Sequence, residues 1–211
     1  MNPPSQAHIT GWVLAGGQGS RMGGVDKGLQ PFQGQPLAQR ALERLRPQVN
    51  TVCINANRHL DDYRAWGCEV YPDMEQGYAG PLMGFLTGLE NCPSDWLLVV
   101  PCDCPFFPMD LASRLAAAAT AQQAPLVMVN APEPNQQGAF VMRAQPVFCL
   151  LHKDLQDSLS RFLASGGRKI DAWTSGQRLA MVDFNQASDA PHAFANANTW
   201  SELQALDKPS A

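Results

Sequence analysis

The sequence predicts an α/β fold, a Rossmann-like three-layer sandwich with a mainly parallel sheet and helices on both faces. Short apolar, β-branched segments alternate with segments whose apolar residues recur at helical spacing. Residues 96–100 (Trp-Leu-Leu-Val-Val) are continuously apolar, as in a strand covered on both faces of a parallel sheet. With 211 residues, the chain is expected to form a single domain, residues 1–211.

The first half alternates regularly between the two kinds of element. Strands are predicted at residues 9–14, 51–56, 68–71, 96–100 and 126–129. Helices are predicted between them at residues 37–45, 61–66, 82–89 and 111–121. The first helix must end before Pro47, because proline has no N–H group to donate.

The second half is less regular. Its predicted elements are strands at residues 138–142 and 179–184, a helix at 155–163 and a last helix at 200–206. Thr199 and Glu202 form the capping-box pattern that opens the last helix. Residues 131–137 are polar and proline-rich, which predicts a loop long enough to border a site.

Composition and charge argue against several functional classes. Fifteen basic and nineteen acidic residues give a net charge of −4, so no basic excess attracts nucleic acid or an anionic membrane. The first ten residues lack the pattern of a signal peptide, and the longest apolar stretch is too short to span a bilayer. The six cysteines are scattered, which indicates free thiols. We expect a cytoplasmic monomer that binds neither nucleic acid nor membrane.

The most informative segment, LAGGQGSRMGGVDKGL at residues 14–29, follows the first predicted strand. Open α/β sheets bind ligands at this end of a strand, and glycines let N–H groups approach phosphate oxygens. Arg21 and Lys27 add the positive charge that phosphates need. Met22 and Val25 stand where a dinucleotide fingerprint and a Walker A loop require Gly and Lys. The segment therefore predicts a phosphate loop of another kind, with a loop of merely solvated cations as the alternative.

Two carboxylates follow predicted strands, Asp73 after residues 68–71 and Asp103 after residues 96–100. Because Mg²⁺ takes one or two carboxylates together with phosphate oxygens, Asp103 is a candidate metal ligand. A turn or capping role is its alternative. Gly80 and Gly84 open a predicted helix, where missing side chains allow close approach of a base or ribose.

These motifs resemble those of the molybdenum cofactor guanylyltransferases, the MobA family of nucleotidyltransferases. The matching segments cover nearly the whole chain: residues 14–17, 21–24, 26–29, 55–58, 71–73, 80–84, 101–105 and 194–199. The double glycine before Asp26-Lys27-Gly28 is the narrower guanylyltransferase form. The resemblance implies a nucleotide-diphospho-sugar-transferase-like fold.

The resemblance also implies transfer of GMP from GTP to molybdenum-molybdopterin, with release of pyrophosphate and with Mg²⁺ as cofactor. The implied catalytic residues are Arg21, Lys27 and Asp103, and Asp103 is the implied metal ligand. The implied GTP-binding residues are Leu14, Ala15, Gly16, Gly17, Lys27, Asn55, Asp73, Gly80, Gly84 and Asp103. Those implied for molybdopterin are Arg168, Asn196 and Asn198.

In this interpretation, residues 1–130 bind the nucleotide and residues 131–211 bind the acceptor. The implied partners are the two substrates, other proteins of molybdenum cofactor biosynthesis and the recipient molybdoenzymes. Three alternatives stay open. The same fold could act with CTP or a sugar phosphate, or the chain could be a regulatory module that binds GTP without turnover. The third is a redox or metal-thiol protein built on the cysteines.

Overall fold

A computed structural model describes residues 2–17, 24–74, 80–135 and 137–196. The strands of this part of the chain are β1 Ile9–Leu14, β2 Pro31–Phe32, β3 Gln35–Pro36, β4 Thr51–Asn55, β5 Glu69–Tyr71, β6 Trp96–Pro101, β7 Leu126–Pro134, β8 Phe140–His152 and β9 Leu179–Asp183. Its α-helices are α1 Leu37–Leu45, α2 Leu60–Arg64, α3 Pro81–Asn91, α4 Leu111–Gln122, α5 Gln156–Ala164 and α6 Ile170–Thr174.

Seven strands form one sheet in the order β5-β4-β1-β6-β8-β7-β9, and β2 and β3 form a separate hairpin. The pairs β5–β4, β4–β1, β1–β6 and β7–β9 are parallel. Strand β8 is antiparallel to its neighbours β6 and β7. The α/β fold with a mainly parallel sheet, expected from the sequence, is confirmed.

The central strands contribute side chains to two cores, because successive residues of a strand point to opposite faces. Leu98 and Val100 of β6 pack in one core together with α1 and α4. Leu97 and Val99 of β6 pack in the other core together with α3 and α5. Both faces of β6 are therefore covered, which explains its continuously apolar sequence.

One predicted loop is wrong. Residues 131–134 continue β7 and pair with the start of β8, and β8 itself extends from the predicted strand at residues 138–142 to His152. The two prolines of this part of β7 are tolerated because, within the described chain, residues 131–134 pair with β8 alone. The result is a two-stranded ribbon that extends from the sheet.

The remaining predicted elements agree with the structure where it describes them. The predicted helix at residues 61–66 is α2, which begins one residue earlier and ends two residues earlier than expected. The predicted last helix, residues 200–206, lies outside the described residues. All six cysteines are free. Among the helices of the described ranges, none has both the length and the apolar character needed to cross a membrane.

Arg114 of α4 fixes the segment that follows β9. Its guanidinium donates to both carboxylate oxygens of Asp189, at 2.6 and 3.2 Å, and to the Asp183 carbonyl at 2.7 Å. It also lies 3.6 Å from the ring centroid of Phe184. Burial would raise the pKa of Asp189, but hydrogen bonds from Arg114 and a backbone N–H group lower it below its ordinary value.

We expect Asp189→Asn to lower the free energy of unfolding by about 1.5–3 kcal/mol at neutral pH, because a charge-assisted pair is lost. The pKa of Asp189 is lower in the folded protein than the value of about 3.9 expected in the unfolded chain, so its charge stabilises the fold at pH values above about 3.9. This stabilisation is lost as the pH falls through the pKa of the folded state. Urea denaturation at about pH 7 and about pH 3 should therefore show a difference from the parent that shrinks in acid. Asp110→Asn is the control, since the exposed Asp110 carboxylate lies 3.8 Å from Arg114. A pH-independent difference would contradict this account.

Candidate functional site

The carboxyl ends of β4, β1 and β6 lie side by side, because these strands are parallel. Leu14 is in register with Asn55 on one side and Pro101 on the other. The Ala15 N–H donates to the Asn55 carbonyl at 2.8 Å, and the Cys102 N–H donates to the Leu14 carbonyl at 3.0 Å. The glycine-rich segment and the segment that carries Asp103 therefore leave the sheet at the same edge.

A cavity of about 290 Å³ opens at this edge. Its lining residues are Leu14, Gly16, Gly17, Asn55, Asp73, Gly80, Pro81 and Gly84. All of them except Pro81 belong to the set that the sequence resemblance implies for GTP. Ala15 is buried between two of the lining residues. One concave site thus collects residues from four separate segments of the sequence.

A network of amides and one carboxylate forms one wall of the cavity. Oδ1 of Asp73 accepts from Nδ2 of Asn55 at 2.9 Å, and its Oδ2 accepts from Nδ2 of Asn57 at 2.8 Å. The Asp73 N–H donates in return to Oδ1 of Asn57 at 2.8 Å. Asn57 was not singled out from the sequence, although it lies within the motif at residues 55–58. These bonds fix the orientation of both amides.

The start of α3 lines the cavity next to Asn55 and Leu14, and Gly84 allows its close approach to them. A Cβ atom at Gly84 would lie 2.6 Å from both Oδ1 of Asn55 and Cδ2 of Leu14. Gly80, which precedes the helix, has a φ of +80°, a conformation that favours glycine. The structure therefore explains why positions 80 and 84 are both occupied by glycine.

Lys27 and Asp103 form an ion pair at the same edge of the sheet. Nζ of Lys27 lies 2.5 Å from Oδ2 of Asp103, and the two side chains are 19% and 17% exposed. The pair joins the glycine-rich segment to the end of β6. It places a cation and a carboxylate together where the sequence predicted a phosphate and metal site.

A buried carboxylate fixes the backbone that carries this lysine. Lys27 opens a short 3-10 turn, and Oδ1 of Asp26 accepts from the N–H of Gly28 at 3.1 Å and from the Tyr63 hydroxyl at 2.6 Å. Burial raises the pKa of Tyr63, and the bond to Asp26 adds to this rise, so the hydroxyl remains a donor. The position of Lys27 thus depends on a contact with α2 that sequence patterns did not indicate.

Cys102 and Cys104 flank Asp103 and are buried. Burial, followed by the charge of Asp103, raises the pKa of both thiols, so they are protonated at neutral pH. Within the described ranges, no group of three or more His, Cys, Asp or Glu could hold a metal ion. These observations weigh against the metal-thiol alternative.

Two of the residues predicted for the acceptor, Arg168 and Asn196, lie in the described part of the chain. Nη1 of Arg168 donates to the carbonyls of Leu163 and Gly167, at 2.9 and 2.7 Å, and thereby closes the end of α5. The Arg168 carbonyl lies 3.9 Å from the position of a Cβ at Gly80. Asn196 is exposed, two residues after Phe194, whose carbonyl lies 3.7 Å from Sγ of Cys104.

Two predicted residues, Arg21 and Asn198, lie outside the described residues. Their roles stay predictions from the sequence.

Comparison with known proteins places the chain in a family. Residues 11–207 match the model of the MobA-like NTP transferase domain. A molybdenum cofactor guanylyltransferase from Acidovorax ebreus is 59% identical over 200 residues, which cover 94% of this chain and 95% of that protein. A second relative of the same name, from Bordetella petrii, is 52% identical over 198 residues, with 94% and 96% covered.

A solved structure supports the fold. Molybdopterin-guanine dinucleotide biosynthesis protein A from Archaeoglobus fulgidus superposes with a TM-score of 0.75 at 18% identity, covering 94% of this chain and 96% of that one. At this level of identity the similarity establishes the three-dimensional arrangement.

We expect Gly84→Ala to lower the free energy of unfolding by about 1–3 kcal/mol, because the added methyl group overlaps Asn55 and Leu14. Gly176→Ala is the control, since its Cβ would meet nothing closer than a carbonyl at 3.7 Å. Chemical denaturation of both variants measures the effect. A Gly84→Ala protein as stable as the parent would show that α3 does not press against the strand ends.

Proposed function

Because the chain belongs to the MobA-like family of nucleotidyltransferases, together with the molybdenum cofactor guanylyltransferases, we propose that it transfers GMP from GTP to the terminal phosphate of molybdenum-molybdopterin. The products are molybdopterin guanine dinucleotide and pyrophosphate. The observation that carries the proposal is the cavity at the ends of β1 and β4, with the Lys27–Asp103 pair at the same edge of the sheet.

The cavity and the ion pair suggest how GTP is oriented. In the proposal, the guanosine part occupies the cavity between Asn55, Asp73 and Gly84. The triphosphate extends towards Lys27 and the glycine-rich segment that carries Arg21. Cations supplied there offset the negative charge of the phosphates in a chain whose net charge is −4.

The reaction requires orientation more than proton transfer. The acceptor phosphate is already anionic at neutral pH, so it can attack the α-phosphorus without a general base. What the protein contributes is to hold two polyanions together and to stabilise charge on the transferred group. Lys27 and Arg21 have this role in the proposal, as is general in phosphoryl transfer.

Asp103 is the residue that would hold Mg²⁺. Its partly exposed carboxylate already contacts a cation, the ammonium of Lys27, so its surroundings suit a positive charge. One carboxylate is a sufficient protein contribution, because Mg²⁺ completes its coordination with phosphate oxygens and waters. When bound, the ion would neutralise negative charge on the phosphates.

The second half of the chain would bind the acceptor. The backbone of Arg168 lies next to Gly80 of the cavity lining, and Asn196 follows Phe194, whose carbonyl lies 3.7 Å from Sγ of Cys104. With Asn198 they would meet the phosphate and the polar edge of the pterin. We further propose that the chain acts as a cytoplasmic monomer, with the other cofactor-biosynthesis proteins and the recipient molybdoenzymes as its partners.

The function is tested by product formation with matched nucleotides. Purified protein, molybdenum-molybdopterin and Mg²⁺ are incubated with GTP or CTP, and pyrophosphate and the dinucleotide product are quantified. We expect turnover with GTP and little with CTP. Preferential use of CTP would favour the cytidylyl alternative. Tight binding of GTP with no product would favour the regulatory module, and either result would overturn the proposal.

The Lys27–Asp103 pair provides a second test. We expect Asp103→Ala to lower turnover by about 10²–10³-fold, the range typical for loss of one electrostatic stabiliser. Lys27→Ala should weaken GTP binding and slow the reaction. Asp157→Ala, which removes an exposed carboxylate from α5, is the control. Near-normal magnesium-dependent turnover of Asp103→Ala would refute the role of Asp103, and unchanged kinetics of Lys27→Ala would show that this lysine only balances charge.

A further inference from the structure

Arg58 joins the two described ends of the glycine-rich segment. It follows β4, and its guanidinium donates through Nη1 to the Gly24 carbonyl at 2.8 Å and through Nη2 to the Gly17 carbonyl at 3.2 Å. These glycines lie on either side of residues 18–23, and Gly17 also lines the cavity. One planar side chain therefore holds Gly17 and Gly24 together next to the end of β4.

The preceding residue binds the neighbouring peptide group. Nδ2 of Asn57 donates to the Gly16 carbonyl at 3.4 Å and to Oδ2 of Asp73 at 2.8 Å. Consecutive side chains, Asn57 and Arg58, thus bind the consecutive carbonyls of Gly16 and Gly17. Because the C=O and N–H of a trans peptide group point in opposite directions, the N–H of Gly17 points away from Asn57.

We propose that Arg58 is a positioning residue of the nucleotide site. By binding the carbonyl oxygens of Gly17 and Gly24, it keeps two negatively polarised atoms away from the phosphates and fixes both ends of the phosphate loop. It contacts the loop and not the nucleotide. The inference depends on the proposed function in one respect: that the bound nucleotide is GTP.

The chemistry of the contact requires arginine. A guanidinium presents several N–H donors in a rigid plane and reaches two acceptors at once, whereas the ammonium of lysine is a compact charge on a flexible stem. A lysine at this position would keep the positive charge but not the double contact. This difference separates a positioning role from simple attraction of an anion.

The test compares Arg58→Met, Arg58→Lys and the control Arg64→Met. Arg64 is an exposed arginine at the end of α2 and is paired with Asp61. Dissociation constants for GTP with Mg²⁺ are measured by calorimetry, and those for guanosine, which lacks phosphates, by ligand-observed NMR. Unfolding temperatures are measured without nucleotide.

For Arg58→Met and Arg58→Lys, we expect GTP affinity to fall about tenfold, equivalent to about 1.4 kcal/mol. Guanosine affinity should stay unchanged, because the base and ribose part of the site does not involve Arg58. The unfolding temperature of Arg58→Met should match that of Arg64→Met.

Four results would overturn the inference. Unchanged GTP affinity in Arg58→Met would show that the contact is dispensable, and full retention in Arg58→Lys would show that charge alone matters. Equal weakening of GTP and guanosine, or a lower unfolding temperature than the control, would assign Arg58 a merely structural role. Failure of the proposed function appears elsewhere, as wild-type protein that binds GTP without forming the dinucleotide.

Discussion

The candidate site depends on the parallel pairing of β1 with β4 and β6. This pairing aligns Leu14 with Asn55 and Pro101, so three chain segments leave the sheet at one edge. Each segment then contributes a different chemical group: the glycine-rich backbone, the amides that hold Asp73, and the carboxylate of Asp103. A shift of register in either pair would separate these groups, whatever their individual contacts.

Local electrostatics matter more than net charge in this protein. A chain with an excess of acidic residues is proposed to bind two polyanionic substrates, which requires positive charge at the site itself. Lys27 is held against Asp103, and its backbone is fixed by the buried bond between Asp26 and Tyr63. Holding the lysine in this way requires burial of the Asp26 carboxylate, which is stabilised by two hydrogen bonds.

The sequence was sufficient to place in order the strands and helices predicted between residues 9 and 129, and to identify most of the cavity lining. Glycines such as Gly84 could be identified because a glycine inside a helix needs a reason. Patterns did not reveal Asn57, Tyr63 or Arg58, since their partners are distant in sequence and their residue types are common in loops and helices. The ribbon of β7 and β8 was missed for a related reason. Its prolines and polar residues are typical of a loop, and its pairing is visible only once the two strands are together.

The position of β8 has a consequence for how the two halves of the molecule relate. β8 lies within residues 131–211, the proposed acceptor-binding part, yet its neighbours in the sheet are β6 and β7, which begin in the proposed nucleotide-binding part. Residues 149–152 complete the hydrogen bonding of β6 after an interval of about fifty residues along the chain. The proposed boundary near residue 130 therefore does not divide the sheet into separate folding units. Neither half could be exchanged between relatives as an independent module without opening the shared sheet through its middle.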